Sequence, residues 1–427
     1  PARSVAGGRG EKIMPLPDLI EILPQTTPVT SHITVPGSKS ITNRALILAA
    51  LANGETTLTG ALWSEDTQIM CEALQAMGFS VSVVDDPVEQ CNRTIVVKGE
   101  GGRIPAMPTQ IYVGNAGTAA RFLAAFSCLG EGSVRLHGID RMHERPQSEL
   151  FQALRMLGYQ VDAAGALPAV IHGAGPREAS CQVSLLESSQ FASALLLCSE
   201  AGGWSVDFVG ANLDETPYVR MTQELIKEFP RSGGPFSIEP DASSGSYFWG
   251  ANSLGLDVEV ADWPTTGWQI DAQFTRFIST PREVSRQTDL GDSIMTAIVL
   301  APLADRPISF TDLGRLRVQE CERVQALRTE LTKCGAVIRE EGDTLHVEPS
   351  PGMHGAEIET YNDHRMAMCF ALLGIKVPGI RLRNPACVKK TFPNFFQKFA
   401  ADPPRGLGVG IQGVDGRSLS NEELFAA

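Results

Sequence analysis

The sequence predicts an α/β protein of two domains, each of which contains three repeated units. Three observations lead to this prediction. Six times, at intervals of roughly 50 to 75 residues, a polar or glycine-marked turn runs into a helix-patterned stretch rich in alanine and leucine. Short β-branched runs bounded by glycine or proline alternate with these stretches. The length of 427 residues favours two domains of ordinary size.

The six alanine-rich stretches are apolar nearly all round, which predicts helices that are buried on most sides. They comprise residues 44–52, 119–126, 191–198, 247–254, 295–301 and 366–373. Uncapped N–H groups and the positive end of the helix dipole make such helix starts attract anions. If several of them converge, the protein is built to hold small polyanions.

Each unit also contains strands and a helix of a different kind. The predicted strands comprise residues 33–35, 94–97, 134–136, 206–209, 258–260, 308–310 and 344–347. The second helices comprise residues 67–77, 149–157, 217–229 and 318–334. Because these helices have a charged face, we expect each to cover a sheet.

Two proline-stiffened segments, Val35-Pro36-Gly37 and Ile238-Glu239-Pro240-Asp241, are the expected crossings between domains. Three units lie before about residue 238 and three after it. We therefore expect a first domain over 38–239 and a second over 14–37 plus 240–400. The ends, 1–13 and 401–427, are expected to be disordered, the latter because proline, glycine and serine are frequent in it.

The composition excludes several classes of partner. A formal net charge of −13 argues against a nucleic-acid or anionic-membrane surface, and no apolar run is long enough to span a membrane. An anionic substrate would need a local basic cluster that works against this charge. The nine cysteines show no metal-binding spacing, which indicates reduced thiols and a cytoplasmic protein.

Basic residues lie close to the predicted helix starts and include Lys39, Arg44, Arg121, Arg145, Arg323, Arg365 and Lys390. Any one of them alone would most simply be a solvated surface charge. Arginine binds phosphate or carboxylate bidentately, and lysine supplies a point charge or a proton. Because a cation beside buried apolar surface needs a partner, their joint placement indicates an anion-binding site.

Asp292 and Glu320 are the candidate acid–base pair. The alternatives are that Asp292 caps the helix after it and that Glu320 forms a helix-surface ion pair with neighbouring arginines. His364 is interpreted as a hydrogen-bonded core histidine in preference to a third proton carrier.

Eight motifs in chain order resemble those of the 5-enolpyruvylshikimate-3-phosphate synthase family, from about residue 33 to about residue 399. They are Pro36-Gly37-Ser38-Lys39-Ser40-Ile41-Thr42-Asn43-Arg44, Gly114-Asn115-Ala116-Gly117-Thr118-Ala119, Arg141-Met142-His143-Glu144-Arg145-Pro146, Ser188-Ser189-Gln190, Asp241-Ala242-Ser243-Ser244, Arg317-Val318-Gln319-Glu320, Tyr361-Asn362-Asp363-His364-Arg365-Met366-Ala367-Met368 and Lys390-Thr391-Phe392-Pro393.

The resemblance implies two inside-out α/β domains, each of three βαβαββ-type units, with the active site in the cleft between them. It implies transfer of the enolpyruvyl group of phosphoenolpyruvate to the 5-hydroxyl of shikimate 3-phosphate, with release of phosphate. No cofactor and no metal are expected, the partners are these two substrates, and the protein is expected to be a monomer. Because Gly117 retains a small residue, we expect glyphosate to compete with phosphoenolpyruvate.

The resemblance also assigns roles by position. Asp292 would take the proton from the attacking hydroxyl, and Glu320, together with Lys39, would protonate the methylene carbon of phosphoenolpyruvate. Phosphoenolpyruvate would be bound by Lys39, Gly117, Arg145, Gln190, Arg323, Arg365 and Lys390. Shikimate 3-phosphate would be bound by Lys39, Ser40, Arg44, Ser188, Ser189, Gln190, Tyr218, Asp292, Arg315 and Gln319.

Three positions depart from the better-known branch of that family. Glu215 replaces a phosphate-binding serine, Arg315 an asparagine and Gln319 a lysine. Arg315 could restore the cation lost at position 319. The departures leave open an enolpyruvyl transferase with another hydroxyl acceptor, such as a specialised metabolite or UDP-N-acetylglucosamine. The absence of cysteine in residues 131–146 argues against the latter, and joint retention of the charged residues argues against a non-catalytic binder.

Overall fold

The computed structural model describes residues 16–186, 188–210, 216–277 and 282–426. Its α-helices are α1 (Lys39–Leu51), α2 (Glu65–Ala76), α3 (Gly117–Ser127), α4 (Asp140–Glu144), α5 (Ser148–Met156), α6 (Ser189–Gly202), α7 (Thr216–Glu228), α8 (Ala242–Ala251), α9 (Ile294–Leu300), α10 (Arg323–Lys333), α11 (His364–Gly374) and α12 (Phe395–Ala400). Short 3₁₀ helices span Asn252–Leu254, Ile270–Arg276, Ala301–Leu303, Leu313–Val318 and Pro385–Lys390.

The strands are β1 (Leu19–Ile22), β2 (Thr30–Ile33), β3 (Glu55–Leu62), β4 (Ser80–Asp85), β5 (Asn92–Lys98), β6 (Gln110–Tyr112), β7 (Glu131–His137), β8 (Gln160–Asp162), β9 (Ala169–Ala174), β10 (Ala179–Ser184), β11 (Trp204–Val209), β12 (Gly234–Ser237), β13 (Asp257–Val260), β14 (Glu283–Ser285), β15 (Ile308–Thr311), β16 (Val337–Glu341), β17 (Thr344–Glu348), β18 (Glu357–Glu359), β19 (Ile380–Arg383) and β20 (Ile411–Gly413).

The sheets repeat one topology. The four-stranded sheets have the orders β6-β7-β9-β8, β14-β15-β17-β16, β12-β3-β5-β4 and β18-β19-β1-β20, and in each the first pair is parallel and the others antiparallel. Two smaller sheets, β10-β11 and β13-β2, keep only the parallel pair. The clearest βαβαββ unit runs β6, α3, β7, α5, β8, β9, as the repeat in the sequence predicts.

The apolar helices form the inside of each half and the sheets lie outside them. All residues of α3 and α11 are buried. One hydrophobic core draws on residues between 41 and 238, and the other on residues 16–35 and 247–426. This division supports the expected domain boundaries, which remain a proposal.

The two crossings between the halves lie side by side. Gly37 and Pro240 form an antiparallel bridge, the Ser38 amide donates to the Glu239 carbonyl at 2.8 Å, and the Asp241 amide donates to the Pro36 carbonyl at 2.8 Å. The first turns of α1 and α8 are therefore held next to each other.

One predicted helix begins later than expected. The pattern over 318–334 predicts a single helix, but α10 begins at Arg323, with Glu322 as its N-cap. The backbone turns sharply at Gln319 (φ −94°, ψ −139°) after the 3₁₀ helix. Glu320 therefore projects from an irregular segment rather than from a helix surface.

The expectation that residues 401–427 are disordered is wrong for the described part, which runs to Ala426. Strand β20 pairs with β1, and apolar side chains at Leu407, Val409 and Leu424 are buried in the second core. The glycines and prolines of this segment join apolar residues that have places in the core, so composition alone was misleading. The corresponding expectation for residues 1–13 lies outside the described residues.

Within the described residues, none of the helices is both long enough and apolar enough to cross a membrane.

We expect Ile411→Ala to destabilise the protein. Ile411 is 3% exposed, so loss of its side chain leaves a cavity in the second core. The expected loss is about 2–5 kcal/mol of unfolding free energy, measured by urea denaturation. Val414→Ala is the control, since Val414 is 75% exposed. Equal stability of Ile411→Ala and the parent protein would contradict the packed tail.

Candidate functional site

Helix starts from both halves of the molecule face a common cleft. Almost every site residue that the sequence predicts lines this cleft: Lys39, Ser40, Arg44, Gly117, Arg145, Ser188, Ser189, Gln190, Tyr218, Asp292, Arg315, Gln319, Glu320, Arg323 and Arg365. Lys390 lies beside it, with Nζ 2.9 Å from Glu320 Oε1. Glu215 is outside the described residues.

The helix starts differ in how their N–H groups are used. Ser188 caps α6, Asp241 caps α8 and Asp363 caps α11 through their side chains. The N-cap residues of α1 and α3, Ser38 and Ala116, make no side-chain cap hydrogen bond within the described structure. At α1 the Lys39 amide donates to the Asp241 carboxylate at 3.3 Å, so the start of α3 is the one that offers N–H groups and a positive dipole end to an anion in the cleft.

Asp292 lies among arginines. Its carboxylate is 3.3 Å from Arg286 Nη2, 3.4 Å from Arg365 Nε and 3.6 Å from Arg323 Nη1. Burial opposes its charge, but Arg365, Arg323 and Arg286 hold the pKa of Asp292 well below its ordinary value. The N-cap of α9 is Ser293, so the alternative in which Asp292 caps that helix is wrong.

Asp271 fixes the turn that carries Asp292, and sequence reasoning missed it. Its carboxylate accepts hydrogen bonds from the Gly291 amide (2.7 Å), the Ser293 amide (3.1 Å) and the Ser243 hydroxyl. Burial raises the pKa of Asp271, and hydrogen bonds from the serines oppose this. No local pattern around Asp271 indicates this role.

Glu320 is held by two cations. Its carboxylate accepts hydrogen bonds from Lys390 Nζ at 2.9 Å and Arg323 Nη2 at 2.8 Å. Burial opposes its charge, but Lys390, Arg323, Arg145 and Lys39 keep its pKa well below the ordinary value. The ion pair with Arg323 that the sequence allowed is present, but the expected helix-surface location is wrong, because the Glu320 side chain is 8% exposed and precedes α10.

Arg323 is 1% exposed and its guanidinium is shared among acidic and amide groups of its own half. Nε donates to Asp363 at 2.7 Å, Nη2 to Glu320 and Nη1 to Gln319. It therefore links the Glu320 segment to the start of α11.

Side chains that the sequence predicts to bind phosphoenolpyruvate lie close to Gly117. Arg145 Nη1 donates to the Asn115 carbonyl at 3.1 Å, and Arg121 donates to the Gln190 side chain at 2.9 Å. A Cβ atom on Gly117 would lie 2.6 Å from Arg145 Nη2 and 2.8 Å from its Cζ. Only glycine leaves Arg145 in this place.

Lys39 completes this side of the cleft. Its ammonium lies 3.4 Å from the buried carboxylate of Asp66, at the start of α2. Asp66, like Arg286, was missed because it follows no turn motif of the repeated kind. Both are recognisable only after folding brings them beside a predicted residue.

On the acceptor side, Arg44 is 2% exposed and donates to the Ser40 carbonyl and to the hydroxyls of Thr222 and Ser193. It ties α1 to α6 and α7 while its guanidinium borders the cleft. Arg315 Nη2 donates to Ser188 Oγ at 3.1 Å across the cleft. The predicted cation at position 315 thus reaches the start of α6.

His364 is buried at the cleft, as expected, but neither ring nitrogen has a hydrogen-bond partner among the described residues. Burial and Arg365 lower its pKa well below the ordinary value, so the ring is neutral at pH 7. The interpretation as a hydrogen-bonded core histidine is wrong in that respect.

The fold is that of enolpyruvyl transferases. An EPSP synthase structure from Acinetobacter baumannii matches with a TM-score of 0.74 at 22% identity, over 92% of this chain and 100% of the other. The enolpyruvyl transferase NikO from Streptomyces tendae matches with a TM-score of 0.66 at 15% identity, over 92% of this chain and 98% of the other.

Sequence comparison gives the family. The sequence model of the family EPSP synthase (3-phosphoshikimate 1-carboxyvinyltransferase) matches residues 23–232 and 230–399 of this chain. Relatives named 3-phosphoshikimate 1-carboxyvinyltransferase include one from Rhizobium etli, 38% identical over 93% of this chain and 99% of its own, and one from Pseudomonas syringae, 37% identical over 92% and 98%. The chain belongs to the EPSP synthase family and is an enzyme of the transferase class.

We expect Asp292→Asn to lower stability at pH 7 by about 3–5 kcal/mol, because it removes one buried negative charge that Arg286, Arg323 and Arg365 share. The pKa of Asp292 is depressed in the folded protein, so its stabilisation is complete above the unfolded value of about 3.9 and is lost as the pH falls below it. Urea denaturation should therefore show a constant deficit from pH 8 to about 5 that shrinks below about 4.

The exposed Asp257 of β13 provides the control, and Asp257→Asn should stay close to the parent protein throughout. A deficit that grows on acidification would contradict the charge assignment of Asp292.

Proposed function

We propose that this enzyme transfers the enolpyruvyl group of phosphoenolpyruvate to the 5-hydroxyl of shikimate 3-phosphate and releases phosphate. The observation that carries the proposal is one cleft that is lined by both Asp292 and Glu320, each within ion-pair distance of Arg323 and surrounded by further cations. The family and its named relatives support the same reaction.

The donor would lie beside Gly117, where Arg145 and the open start of α3 converge. A compact anion there can accept hydrogen bonds from N–H groups and a guanidinium together. The full set proposed for phosphoenolpyruvate is Lys39, Gly117, Arg145, Gln190, Arg323, Arg365 and Lys390.

The acceptor would lie between the start of α6 and the Asp292 turn. Its phosphate would contact the hydroxyls of Ser188 and Ser189 and the guanidinium of Arg315, which already reaches Ser188. The full set proposed for shikimate 3-phosphate is Lys39, Ser40, Arg44, Ser188, Ser189, Gln190, Tyr218, Asp292, Arg315 and Gln319. Arg315 supplies the positive charge that Gln319 lacks.

The chemistry follows from the two carboxylates. Asp292 accepts the proton of the acceptor hydroxyl while the hydroxyl oxygen bonds to C2 of phosphoenolpyruvate. Glu320 delivers a proton to C3. The tetrahedral intermediate then loses phosphate from C2 and returns a C3 proton to the Glu320 carboxylate, which restores the double bond. The proton held by Asp292 leaves with the phosphate. Acid–base assistance of this kind contributes about 10²–10⁴-fold.

Glu320 must hold a proton before it can donate one. In the structure Lys390, Arg323, Arg145 and Lys39 keep it ionised. Phosphoenolpyruvate brings negative charge to the same cations and so weakens their hold on Glu320. Its pKa therefore rises when the donor binds, which couples proton donation to occupancy of the cleft.

The proposed function is tested by phosphate release from phosphoenolpyruvate with a panel of acceptors. We expect turnover with shikimate 3-phosphate and little with unphosphorylated shikimate or UDP-N-acetylglucosamine. Turnover with another acceptor in preference to shikimate 3-phosphate would overturn the acceptor assignment. The kcat of Asp292→Asn should fall about 10²–10⁴-fold. The kcat of Asp257→Asn should stay at the parent value. A protein that only binds these ligands would release no phosphate in any variant.

We expect Gly117→Ala to raise the KM for phosphoenolpyruvate about 10-fold or more, corresponding to ~1.4 kcal/mol, because the added methyl displaces the Arg145 guanidinium. The KM for shikimate 3-phosphate should change much less. Steady-state kinetics with each substrate varied in turn measures both.

Gly352→Ala is the matched control, since a Cβ at Gly352 meets no atom within 4 Å. An unchanged KM for phosphoenolpyruvate in Gly117→Ala would show that the donor lies elsewhere.

A further inference from the structure

A second arginine of the α4 segment reaches across the cleft. Arg141 lies about one helical turn before Arg145, and its Nη2 donates to the main-chain carbonyl of Gln319 in the opposite half at 3.0 Å. Its Nη1 donates to Glu144 of its own helix at 2.8 Å. The side chain of Arg141 is 36% exposed, so it lies at the edge of the cleft rather than inside it.

The carbonyl that Arg141 contacts belongs to the peptide between Gln319 and Glu320. This peptide lies in the irregular segment between the 3₁₀ helix Leu313–Val318 and α10. Lys390 and Arg323 fix the Glu320 carboxylate from within its own half. Arg141 fixes the adjoining main chain from the other half.

A second contact runs in the opposite direction. Lys390 Nζ donates to the Asn115 carbonyl at 3.2 Å, and Arg145 donates to the same carbonyl at 3.1 Å. Two hydrogen bonds thus cross between the halves here: Arg141 joins α4 to the Glu320 segment, and Lys390 joins its 3₁₀ helix to the loop that carries Gly117. Because Arg145 ties α4 to that loop and Lys390 binds the Glu320 carboxylate, the two hydrogen bonds link the loop and the segment indirectly. The distance from Glu320 to a donor molecule bound beside Gly117 depends on this pair.

We propose that Arg141 is a positioning residue of the transfer reaction, which holds the Glu320 main chain against the donor-binding loop when the cleft is closed. The inference rests on the proposed function, because it concerns the proton that Glu320 delivers. Arg141 acts through Glu320 and touches no reacting atom. Its loss therefore affects the chemical step more than the binding of either substrate.

The test is the steady-state kinetics of Arg141→Ala and Arg141→Lys with phosphoenolpyruvate and shikimate 3-phosphate. We expect kcat of the alanine variant to fall about 10- to 100-fold, as for loss of one charged hydrogen bond, with each KM changed less than about 3-fold. The lysine variant retains a charged donor and should recover part of kcat. The pH limb of kcat that reports Glu320 should move in the alanine variant, because a displaced carboxylate meets its cations at other distances.

Arg155→Ala is the matched control. Arg155 is an exposed arginine of the first half that donates to the main-chain carbonyl of Val161 at 2.7 Å, without crossing the cleft. It should keep kcat within about 2-fold, since the bond it loses lies within one half.

The inference is overturned if Arg141→Ala keeps kcat within about 3-fold, if only KM rises, or if Arg155→Ala loses as much activity. Failure of the proposed function is separate and is seen in the parent enzyme. A parent enzyme that turns over a different acceptor leaves the comparison of Arg141 variants to be made with that acceptor, whereas a parent enzyme with no turnover overturns both proposals.

Discussion

The structure depends on mutual neutralisation of charge in the cleft. A chain with a net charge of −13 gathers eight described cations around one cleft, namely Lys39, Arg44, Arg145, Arg286, Arg315, Arg323, Arg365 and Lys390. A buried cation destabilises the fold unless acceptor groups, above all carboxylates, lie beside it. Asp66 meets this need for Lys39 within the first half. Asp292, Glu320 and Asp363 meet it for Arg286, Arg323, Arg365 and Lys390 within the second.

The same neutralisation prepares the site for anions. Each carboxylate occupies a place beside the cations that a phosphate or carboxylate of a ligand also favours, so binding exchanges one partner for another. The desolvation cost of gathering the cations is therefore met in folding rather than at binding. The positive charges of the cleft are therefore balanced by carboxylates of the protein when no ligand is bound.

Much of the fold could be predicted because the two kinds of helix differ in pattern. The helices α3 and α11 are buried on every side, and their sequences are apolar all round. Residues at the repeated turns, such as Lys39 and Arg365, could be assigned to the cleft because each turn directly precedes one of these apolar helices. Their roles in binding remain predictions.

What could not be predicted depends on contacts between distant segments. Asp271 organises the Asp292 turn, and Arg286 pairs with Asp292, yet neither follows a periodic pattern or a turn motif. The break at Gln319 interrupts a helical pattern because Gln319 and Glu320 bond with Arg323. Residues 401–426 were expected to be disordered from their many glycines, but their few apolar residues are buried in the second core and decide their structure.

The paired crossings at Gly37 and Pro240 have a mechanical consequence. Two antiparallel strands of chain joined by main-chain hydrogen bonds resist sliding and twisting much more than bending. The two crossings therefore act as one short ribbon, which sets where the start of α1 lies relative to the start of α8. The alignment of the two helix starts is thus a property of the connection itself and does not depend on the length of any loop.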